Sequence, residues 1–487
     1  MKYSRTILHW INDKETQSDS NKWFEKINPA DGKVLAQVTR GNMEDASYAV
    51  KTATMNFYEW RNMSVVNRAD ILRRAVRIME DRKEEIATIV HSETGKSMKD
   101  ALGEVYGSIE LGYFYAGEGR RFYGKVVPSA VSNRISMIVR EPVGVCVLIV
   151  PANTPIANIT WKTFPALLCG NTAILKASKD APYTALWLAK ILKEAGLTSG
   201  VFSVLQGMGE EIGNALVEDE RVSLVSFTGS LEVGRNIQRK AGLRFAKVSL
   251  ELGGKNPLVV CDDTNLERVV NFTISSAFSN AGQRCAAGSR IIILSSVYEN
   301  FRKLLLKKTK QLKVGVLDSD DFGPVINESQ LLAIIKAVKM AKARGAKIIY
   351  GGNRLLDVPH RNGFYFEPTI IEDVSPDDEI SQAELFGPVT CLYKAKDLNE
   401  AIELANNSLY GLTAAIHTSS IHRIQEFIKR IQTGVISVNG PTFGSEPHMP
   451  FGGVKNSGNG SREPGLEALD IYSNIKTIYI KHDPNYI

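Results

Sequence analysis

The chain has 487 residues, of which 44% are hydrophobic and 23% are charged. A chain of this length exceeds what one hydrophobic core usually serves, so we expect two or more domains, and the composition excludes a disordered or fibrous protein. The formal net charge of +6 comes from Lys and Arg spread along the chain rather than gathered in runs, which gives no argument for a nucleic-acid partner.

The first predicted elements are helices. Between residues 44 and 117 apolar residues recur three and four positions apart with charged residues between them, which is the pattern of amphipathic helices. Residues 122–143 follow as two extended segments around a polar turn at 132–134, and this pattern predicts a β-hairpin.

Strands and helices then alternate. The first alternating region has predicted strands at 143–150, 172–176, 201–205 and 224–228, and predicted helices at 163–168, 181–195, 210–217 and from about 231. A second alternating region covers about residues 255–439, with first strands at 256–261 and 290–294, and a last strand is predicted at 474–480. Near-continuous apolar strands between helices are typical of parallel sheets covered by helices, so we predict the α/β class.

The cysteines and histidines show neither disulfide nor metal-site spacing. The five cysteines are odd in number without a C-x-x-C pair, and the seven histidines are scattered. The N-terminus lacks the apolar core of a signal peptide, and no apolar run reaches the ~20 residues that span a bilayer. We therefore expect a cytoplasmic protein without a metal or a membrane partner.

Cys285 is the first candidate for chemistry. Its neighbours Gly282, Ala286 and Gly288 are small and leave room for a substrate at the sulfur. The adjacent Arg284 is expected to favour the thiolate, which is the nucleophilic form. A single cysteine is more often a small buried hydrophobe, so this interpretation depends on partners elsewhere in the chain.

Two polar residues at predicted strand ends are candidate partners. Glu251 follows an apolar strand and precedes paired glycines, where a carboxylate in a partly apolar site can act as a general base. Asn153 follows the most apolar strand, where its amide could donate to an oxyanion. Taken alone, each has a simpler explanation: a solvated glutamate at a strand end, and an asparagine in a proline turn.

A third candidate is a nucleotide site. Gly229 and Ser230 form a tight turn between a predicted strand and a predicted helix, where backbone N–H groups and the helix dipole suit a pyrophosphate. The segment does not match G-x-G-x-x-G and is a weak signal by itself. Lys176, at the end of its own strand, is a candidate for ribose hydroxyls or phosphate.

These motifs, in this order and spacing, resemble the aldehyde dehydrogenase superfamily. Two further segments complete the resemblance, Glu384-Leu-Phe-Gly-Pro388 and Pro450-Phe-Gly-Gly-Val-Lys-Asn-Ser-Gly458, and it extends over about residues 27–478. The resemblance implies a Rossmann-like cofactor domain at 1–121 and 144–252 and an α/β catalytic domain at 253–450. It also implies a small β oligomerisation flap at 122–143 and 470–487, and hence a homodimer or homotetramer.

The resemblance also implies a role for each matching residue. Cys285 would attack an aldehyde carbon, the Asn153 amide and the Cys285 backbone N–H would hold the oxyanion, and Glu251 would activate water to hydrolyse the thioester. Lys162 would help to relay the proton. The implied cofactor contacts are Lys176 and Glu384 on the ribose groups, Ser230 with Gly229 at the pyrophosphate, and Phe386 near the nicotinamide.

The substrate contacts are less defined. The loop at 440–449 is expected to form part of the tunnel wall, and Arg284 would either meet an anionic tail or tune the sulfur. The candidate substrate residues are Trp161, Arg284, Phe443, His448 and Phe451.

Three positions depart from the family pattern. Ala152 stands where a Trp is frequent and Thr154 where an aromatic is frequent, so we expect a wider or more polar entrance. Lys179 stands where many relatives carry Glu, and with Ser178 it could bind a 2′-phosphate. We therefore predict that both NAD and NADP are accepted, with NADP slightly favoured.

Two alternatives remain open. A CoA-acylating semialdehyde dehydrogenase would pass the acyl group to CoA, and Glu251 argues against this because a hydrolytic base suits water as the acceptor. A non-catalytic protein of the same fold would have no need to retain Cys285, Glu251 and Asn153 together.

Overall fold

The computed structural model describes residues 3–483. Residues 1–2 and 484–487, which fall in the predicted cofactor domain and oligomerisation flap, lie outside the described residues. The N-terminal elements are β1 (Thr6–Ile7), β2 (His9–Ile11), β3 (Lys14–Thr16), β4 (Trp23–Ile27), β5 (Val34–Thr39), α1 (Met43–Asn62), α2 (Val65–Asp81), α3 (Lys83–Thr94) and α4 (Met98–Glu118).

The hairpin and the first alternating region follow. Their elements are β6 (Lys125–Val127), β7 (Arg134–Pro142), β8 (Val145–Ile149), α5 (Pro155–Leu168), β9 (Thr172–Lys176), α6 (Pro182–Glu194), β10 (Phe202–Leu205), α7 (Asn214–Glu218), β11 (Val222–Thr228), α8 (Leu231–Gly242) and β12 (Lys247–Glu251).

The second alternating region and the C-terminal segment complete the chain. Their elements are β13 (Asn256–Val260), α9 (Leu266–Phe278), β14 (Gly288–Leu294), α10 (Tyr298–Thr309), α11 (Glu328–Ala343), β15 (Lys347–Tyr350), β16 (Thr369–Glu372), α12 (Glu379–Gln382), β17 (Val389–Ala395), α13 (Leu398–Asn406), β18 (Tyr410–Gly411), β19 (Thr413–His417), α14 (Ile421–Arg430), β20 (Val435–Val438), β21 (Val454–Lys455), α15 (Ala468–Ile471) and β22 (Ser473–Lys481).

The first large sheet has the strand order β12-β11-β8-β9-β10-β2-β3. Strands β12 to β10 in that order are parallel, and β2 and β3 add an antiparallel edge. The chain leaves β8 toward β9 and β10 on one side and later returns to β11 and β12 on the other. The strand order therefore reverses at β8, and ligands bind at the carboxyl ends of the strands next to such a reversal.

The second large sheet has the order β15-β16-β17-β14-β13-β19-β20, with β15 antiparallel at one edge. Its central strands β13, β14 and β19 are buried on both faces, as the near-continuous apolar runs predicted, whereas the edge strands β15 and β20 are partly exposed. The carboxyl ends of the first sheet carry Asn153, Lys176, Gly229 and Glu251, whereas Cys285 precedes the amino end of β14. The predicted site therefore lies between the carboxyl ends of one sheet and the amino ends of the other.

The hairpin and the C-terminal strand form a separate antiparallel sheet, in the order β22-β7-β6. Strand β22 pairs with β7 over its full length, from Ser473 opposite Pro142 to Lys481 opposite Arg134. Apolar side chains on this sheet, among them Val126 and Ile475, are strongly exposed. The hairpin and the last strand are confirmed as predicted from the sequence.

Three parts of the chain differ from the predictions. Helix α5 starts at Pro155 rather than at 163, because the proline that suggested a turn occupies the first helical turn, where its missing N–H costs nothing. The helix expected at 210–217 opens as a π-helical turn, Gly209–Gly213, before α7. Strands β1–β5 were not predicted, because strands of two to six residues carry little periodicity. Among the described residues, none of the helices is both long and apolar enough to cross a membrane.

Candidate active site

A strained turn leads into the loop that carries Cys285. After α9 the chain passes through Asn280, Ala281 and Gly282, which all have a positive φ, of 54°, 54° and 68°. A Cβ on Gly282 would lie 2.1 Å from the Gly387 carbonyl oxygen, so only glycine allows this approach. The turn therefore brings the segment around Glu384 against the Cys285 loop.

Asn256 holds the backbone of the Cys285 loop. Its amide nitrogen donates to the carbonyl oxygens of Cys285 at 2.7 Å and Ala287 at 2.9 Å, and its amide oxygen accepts from the Thr413 N–H at 3.0 Å. The Thr442 hydroxyl donates to the intervening Ala286 carbonyl at 2.7 Å. Three consecutive carbonyls around Cys285 are thus fixed by side chains, which holds the backbone of this loop in one position.

The Cys285 side chain is half-buried in an apolar cluster. The cluster contains Ala286, Leu412, Phe451, Trp161, Val435 and Phe443. Burial raises the pKa of the thiol well above its usual value, and the charges of Glu251 and Glu384 raise it further, while the Ala286 N–H and Arg284 lower it. Arg284 therefore favours the thiolate, as expected, but the loss of hydration has the larger effect and the net shift of the pKa is upward.

Glu251 ends β12 and is buried. Its Oε1 atom has no hydrogen-bond partner within residues 3–483. Burial raises the pKa of this carboxyl well above its usual value; the Lys162 ammonium lowers it, and the Glu463 carboxylate raises it. A buried carboxyl with a free oxygen and a raised pKa suits a general base that acts on a water molecule.

Lys162 joins a buried network that the sequence did not suggest. Its Nζ donates to the Ser226 hydroxyl and to Glu463 Oε2, both at 2.7 Å, and the side chains of Lys162 and Glu463 are only 1% and 4% exposed. Glu463 also accepts from Ser226 at 3.0 Å and from the Tyr472 hydroxyl at 2.8 Å. Glu463 has no motif of its own and lies 301 positions from Lys162, so no local signal could have identified it.

Asn153 contacts the Cys285 loop directly. Its Nδ2 donates to the Gln283 carbonyl at 2.9 Å, and its Oδ1 accepts from Asn158 Nδ2 at 3.1 Å. An amide nitrogen has two hydrogens, so the second remains available to a ligand beside the sulfur. The structure therefore brings Asn153, Glu251 and Cys285 to one place between the two sheets.

The predicted cofactor residues line the reversal of the first sheet. The Gly229 N–H donates to the Glu251 carbonyl at 3.1 Å, and Ser230 begins α8 without a side-chain cap, which leaves the first helical N–H groups open to an anion. Lys176 is buried, and burial lowers its pKa to about 8. Ser178 is half-buried and Lys179 is exposed. Uncapped amides and a buried ammonium fit a dinucleotide phosphate.

Glu384 and Phe386 lie at the other side of this site. Glu384 accepts a hydrogen bond from the Gly254 N–H at 3.1 Å, and burial raises its pKa to about 7. Phe386 is half-buried with a φ of 54°, and its carbonyl accepts from Gln330 at 3.1 Å. Gly254 also packs on the Cys285 loop, where a Cβ would lie 2.5 Å from the Cys285 carbonyl oxygen. Glu384 is therefore placed between the residues predicted to bind the cofactor and the Cys285 sulfur.

Four of the five candidate substrate residues surround the sulfur. The Trp161 and Phe451 rings meet edge to face with centroids 5.7 Å apart. The Arg284 guanidinium lies 4.8 Å from the centre of the Phe443 ring, and its Nε donates to the Ser279 hydroxyl at 3.3 Å. The fifth residue, His448, is 57% exposed and faces Glu446 at 3.9 Å, so it is not placed in the aromatic cluster.

Arg284 is a cation without a carboxylate partner. Asp100 and Glu104 are near enough to raise its pKa against the lowering effect of burial, yet neither forms an ion pair with it among the described residues. A half-buried guanidinium with only a ring and a hydroxyl as partners is available to an anionic ligand. No group of three or more His, Cys, Asp or Glu side chains in residues 3–483 is arranged to hold a metal ion.

Comparisons with known proteins point to one family. A model of the aldehyde dehydrogenase family matches residues 15–478. An alpha-ketoglutaric semialdehyde dehydrogenase of Bacillus subtilis is 37% identical over 479 residues, which covers 98% of each chain. A 2,5-dioxopentanoate dehydrogenase of Saccharolobus solfataricus is 40% identical over 478 residues, or 96% of this chain and 99% of the relative. A betaine aldehyde dehydrogenase of Staphylococcus aureus, solved in complex with NAD+, has 31% identity and a TM-score of 0.96, and the match covers 100% of this chain and 97% of that one.

Proposed function

The chain belongs to the aldehyde dehydrogenase family and is an oxidoreductase that converts an aldehyde to the carboxylic acid; from this premise we propose that its substrate is 2,5-dioxopentanoate, an aldehyde with a carboxylate at the far end. The observation that carries the proposal is Arg284, a half-buried cation stacked on Phe443 beside Cys285 and without an acidic partner in the described part of the chain. The relatives at 37% and 40% identity, an alpha-ketoglutaric semialdehyde dehydrogenase and a 2,5-dioxopentanoate dehydrogenase, support the same substrate.

The proposed first half-reaction uses Cys285 and Asn153. Once Cys285 has lost its proton, the sulfur attacks the aldehyde carbon, a C–S bond forms, and the carbonyl oxygen becomes an oxyanion. The Asn153 amide and the Cys285 backbone N–H donate to that oxyanion. A nicotinamide cofactor, which Lys176, Ser230 and Glu384 would hold, would accept the hydride from the carbon, so that the carbon is oxidised by two electrons and a thioester remains on the sulfur.

The proposed second half-reaction uses Glu251. Its carboxylate takes a proton from water, the water oxygen attacks the thioester carbon, and the C–S bond breaks to release the acid and free the sulfur. Lys162, whose charge lowers the pKa of Glu251, keeps its predicted role in relaying the proton. The buried base supports hydrolysis over transfer to CoA, and the ratio of free acid to acyl-CoA formed in the presence of CoA tests this; acyl-CoA as the main product contradicts it.

A panel of three aldehydes tests the substrate. The panel is 2,5-dioxopentanoate, neutral pentanal of the same chain length, and betaine aldehyde, a cation that the structural neighbours are named for. Trp161, Phe443 and Phe451 provide aromatic faces of the kind that bind cations, but the Arg284 guanidinium already covers Phe443 and repels a second positive charge. We therefore expect the highest kcat/KM with 2,5-dioxopentanoate and the lowest with betaine aldehyde.

The variant Arg284→Met tests whether Arg284 binds the carboxylate of the substrate. A hydrogen bond to a charged group is worth about 1.5–3 kcal/mol, so kcat/KM for 2,5-dioxopentanoate should fall by about 10- to 150-fold. Pentanal has nothing for Arg284 to bind, so its kcat/KM should fall much less, only through loss of the charge that lowers the pKa of the Cys285 thiol. Arg284→Lys keeps the charge but loses the planar guanidinium. Its kcat/KM for 2,5-dioxopentanoate should lie between that of the wild type and that of Arg284→Met. Equal losses with both aldehydes would remove Arg284 from substrate recognition.

For the cofactor we propose that NADP is accepted alongside NAD and is slightly favoured. Lys179 is exposed next to Ser178, and its charge helps to lower the pKa of Lys176, so two ammonium groups act on the same small region. The variant Lys179→Glu should reduce the NADP to NAD ratio of kcat/KM by at least about 10-fold, because a carboxylate repels a 2′-phosphate. An unchanged ratio refutes the role of Lys179, and Lys14→Glu on the remote strand β3 is the matched surface control.

We further propose a homodimer or homotetramer formed through the β6–β7–β22 sheet. Val126 and Ile475 expose apolar side chains on this sheet, and exposed sheet edges invite pairing. All five cysteines are free, which supports the predicted reducing, cytoplasmic location.

A further inference from the structure

We propose that Lys96, Glu104 and Asn280 are positioning residues that hold the Asn153 amide against the Cys285 loop. The proposal rests on the function proposed above, because it assigns these residues to the group that stabilises the oxyanion. None of the three was among the motif residues named from the sequence. They come from three separate parts of the chain: the loop before α4, α4 itself, and the turn after α9.

Glu104 provides the start of α5 with a cap that its own sequence lacks. Thr154 precedes the helix without capping it, and Pro155 has no N–H. Glu104 Oε1 accepts instead from the backbone N–H groups of Ile156 at 2.9 Å and Ala157 at 3.3 Å. A carboxylate at a helix N-terminus satisfies free donors and interacts favourably with the helix dipole. Glu104 therefore fixes the backbone three residues after Asn153.

Lys96 extends this cap to Asn153. Its Nζ donates to Glu104 Oε2 at 2.6 Å and to the Asn153 carbonyl oxygen at 2.9 Å. Both charged side chains are only 5% exposed. A buried ion pair gains little net stability over an apolar pair, but loss of one partner leaves an unpaired charge. The pair is therefore better explained by the position it imposes on Asn153 than by its contribution to folding.

Asn280 approaches the same carbonyl from the other half of the molecule. Its Nδ2 donates to the carbonyl oxygens of Asn153 at 3.1 Å and Gln283 at 3.2 Å. The Gln283 carbonyl also accepts from Asn153 Nδ2 at 2.9 Å. Asn280 has a φ of 54°, a conformation that asparagine tolerates better than most residues. The two amides and two carbonyls thus form a closed set of hydrogen bonds that joins Asn153 to the segment carrying Cys285.

This arrangement fixes the direction of the free Asn153 N–H. One hydrogen of Nδ2 points at Gln283, Oδ1 is held by Asn158, and the backbone is held by Lys96 and Asn280. Loss of Lys96 should allow the amide to shift. A displacement of about 1 Å in a positioned group can cost about 10²-fold in rate, which is also the usual cost of losing one oxyanion donor.

The test measures the burst of reduced cofactor in stopped-flow experiments with pentanal, which has no group for Arg284. Lys96→Met should slow the burst by about 10- to 100-fold while the KM for the aldehyde and the Kd for the cofactor stay within about 2-fold. Lys96→Met/Glu104→Gln, which leaves no buried charge, should fold as stably as the wild type and show the same slow burst. Lys247→Met is the matched control, because Lys247 also donates to backbone carbonyls but at the far end of β12, and it should leave the burst unchanged.

The decisive comparison uses Asn153→Ala as the background. If Lys96 acts through the Asn153 amide, Lys96→Met should change the burst by less than about 2-fold once that amide is absent. The same fold loss in both backgrounds would overturn the proposal and leave Lys96 with a general structural role. The wild type separates this outcome from failure of the proposed function: no reduction of NAD or NADP by any aldehyde of the panel would reject the function itself.

Discussion

Opposite charges in the Lys162–Glu463 pair should shift the pH dependence of hydrolysis in opposite directions. The Lys162 ammonium lowers the pKa of Glu251 and the Glu463 carboxylate raises it. In Lys162→Met the pKa of Glu251 should rise, so the base ionises only at higher pH and the rising limb of kcat moves to higher pH. In Glu463→Gln the pKa of Glu251 should fall, and the limb moves to lower pH.

The size of both effects follows from burial. Charges in such surroundings move a neighbouring pKa by about 1–3 units, so each limb should move by about one pH unit or more. Either single variant leaves a buried charge without its partner, which costs about 3–5 kcal/mol of folding free energy. The double variant removes both charges and should be more stable than either single variant. The rising limb of its kcat should lie at a pH between those of the two single variants.

Three measurements check this reasoning. Urea denaturation of the wild type, the two single variants and the double variant gives their free energies of unfolding. Measurement of kcat from pH 5 to 10 gives the position of the rising limb in each protein. A burst of reduced cofactor before the steady state shows that hydrolysis limits the rate in each protein. The electrostatic role of the pair would be refuted if the rising limb of kcat moved in the same direction in both single variants. It would also be refuted if the limb did not move while the stability fell, and the pair would then have a structural role only.

Three further predictions follow from single sites. Burial raises the pKa of Glu384 to about 7, so the KM for the cofactor should fall as the pH rises through about 7 and the carboxylate forms. Glu384→Gln should remove this pH dependence of KM, and a dependence that persists in the variant would contradict the role of Glu384. Asn256→Ala loses two donated hydrogen bonds and leaves the buried Thr413 N–H unpaired, so urea denaturation should show a loss of about 2–4 kcal/mol; a loss below about 1 kcal/mol would show that the loop holds itself. Val126→Asp/Ile475→Asp should dissociate the oligomer in light scattering, and an unchanged mass contradicts the proposed interface.

The strand-end residues were predictable because their signal is local. Glu251 and Asn153 each follow an apolar strand, and parallel strands bring their carboxyl ends to one edge. The α/β class followed from the same alternation. The domain boundaries at residues 121, 252 and 450 stay a prediction, as do the catalytic, cofactor and substrate roles of the site residues.

The supporting residues were not predictable because their partners are remote in sequence. Lys162 meets Glu463 across 301 positions, and Lys96 meets Asn153 across 57. No periodicity or motif marks such pairs, because they form only when segments that are distant in the chain pack together. The net pKa shift of Cys285 was not predictable for a related reason: adjacency in sequence reveals the nearby charge of Arg284, whereas desolvation depends on everything packed around the sulfur.

The ionisation of Cys285 and that of Glu251 are coupled through the two proposed half-reactions. The Glu251 charge raises the pKa of the Cys285 thiol, and because the interaction of two charges is mutual, a thiolate also opposes ionisation of Glu251. The site therefore disfavours two negative charges at once, so the thiolate that attacks the aldehyde forms more readily while Glu251 is protonated. When the thioester has formed, the sulfur carries no charge and this opposition disappears. Glu251 then ionises more readily, at the stage at which water must be activated.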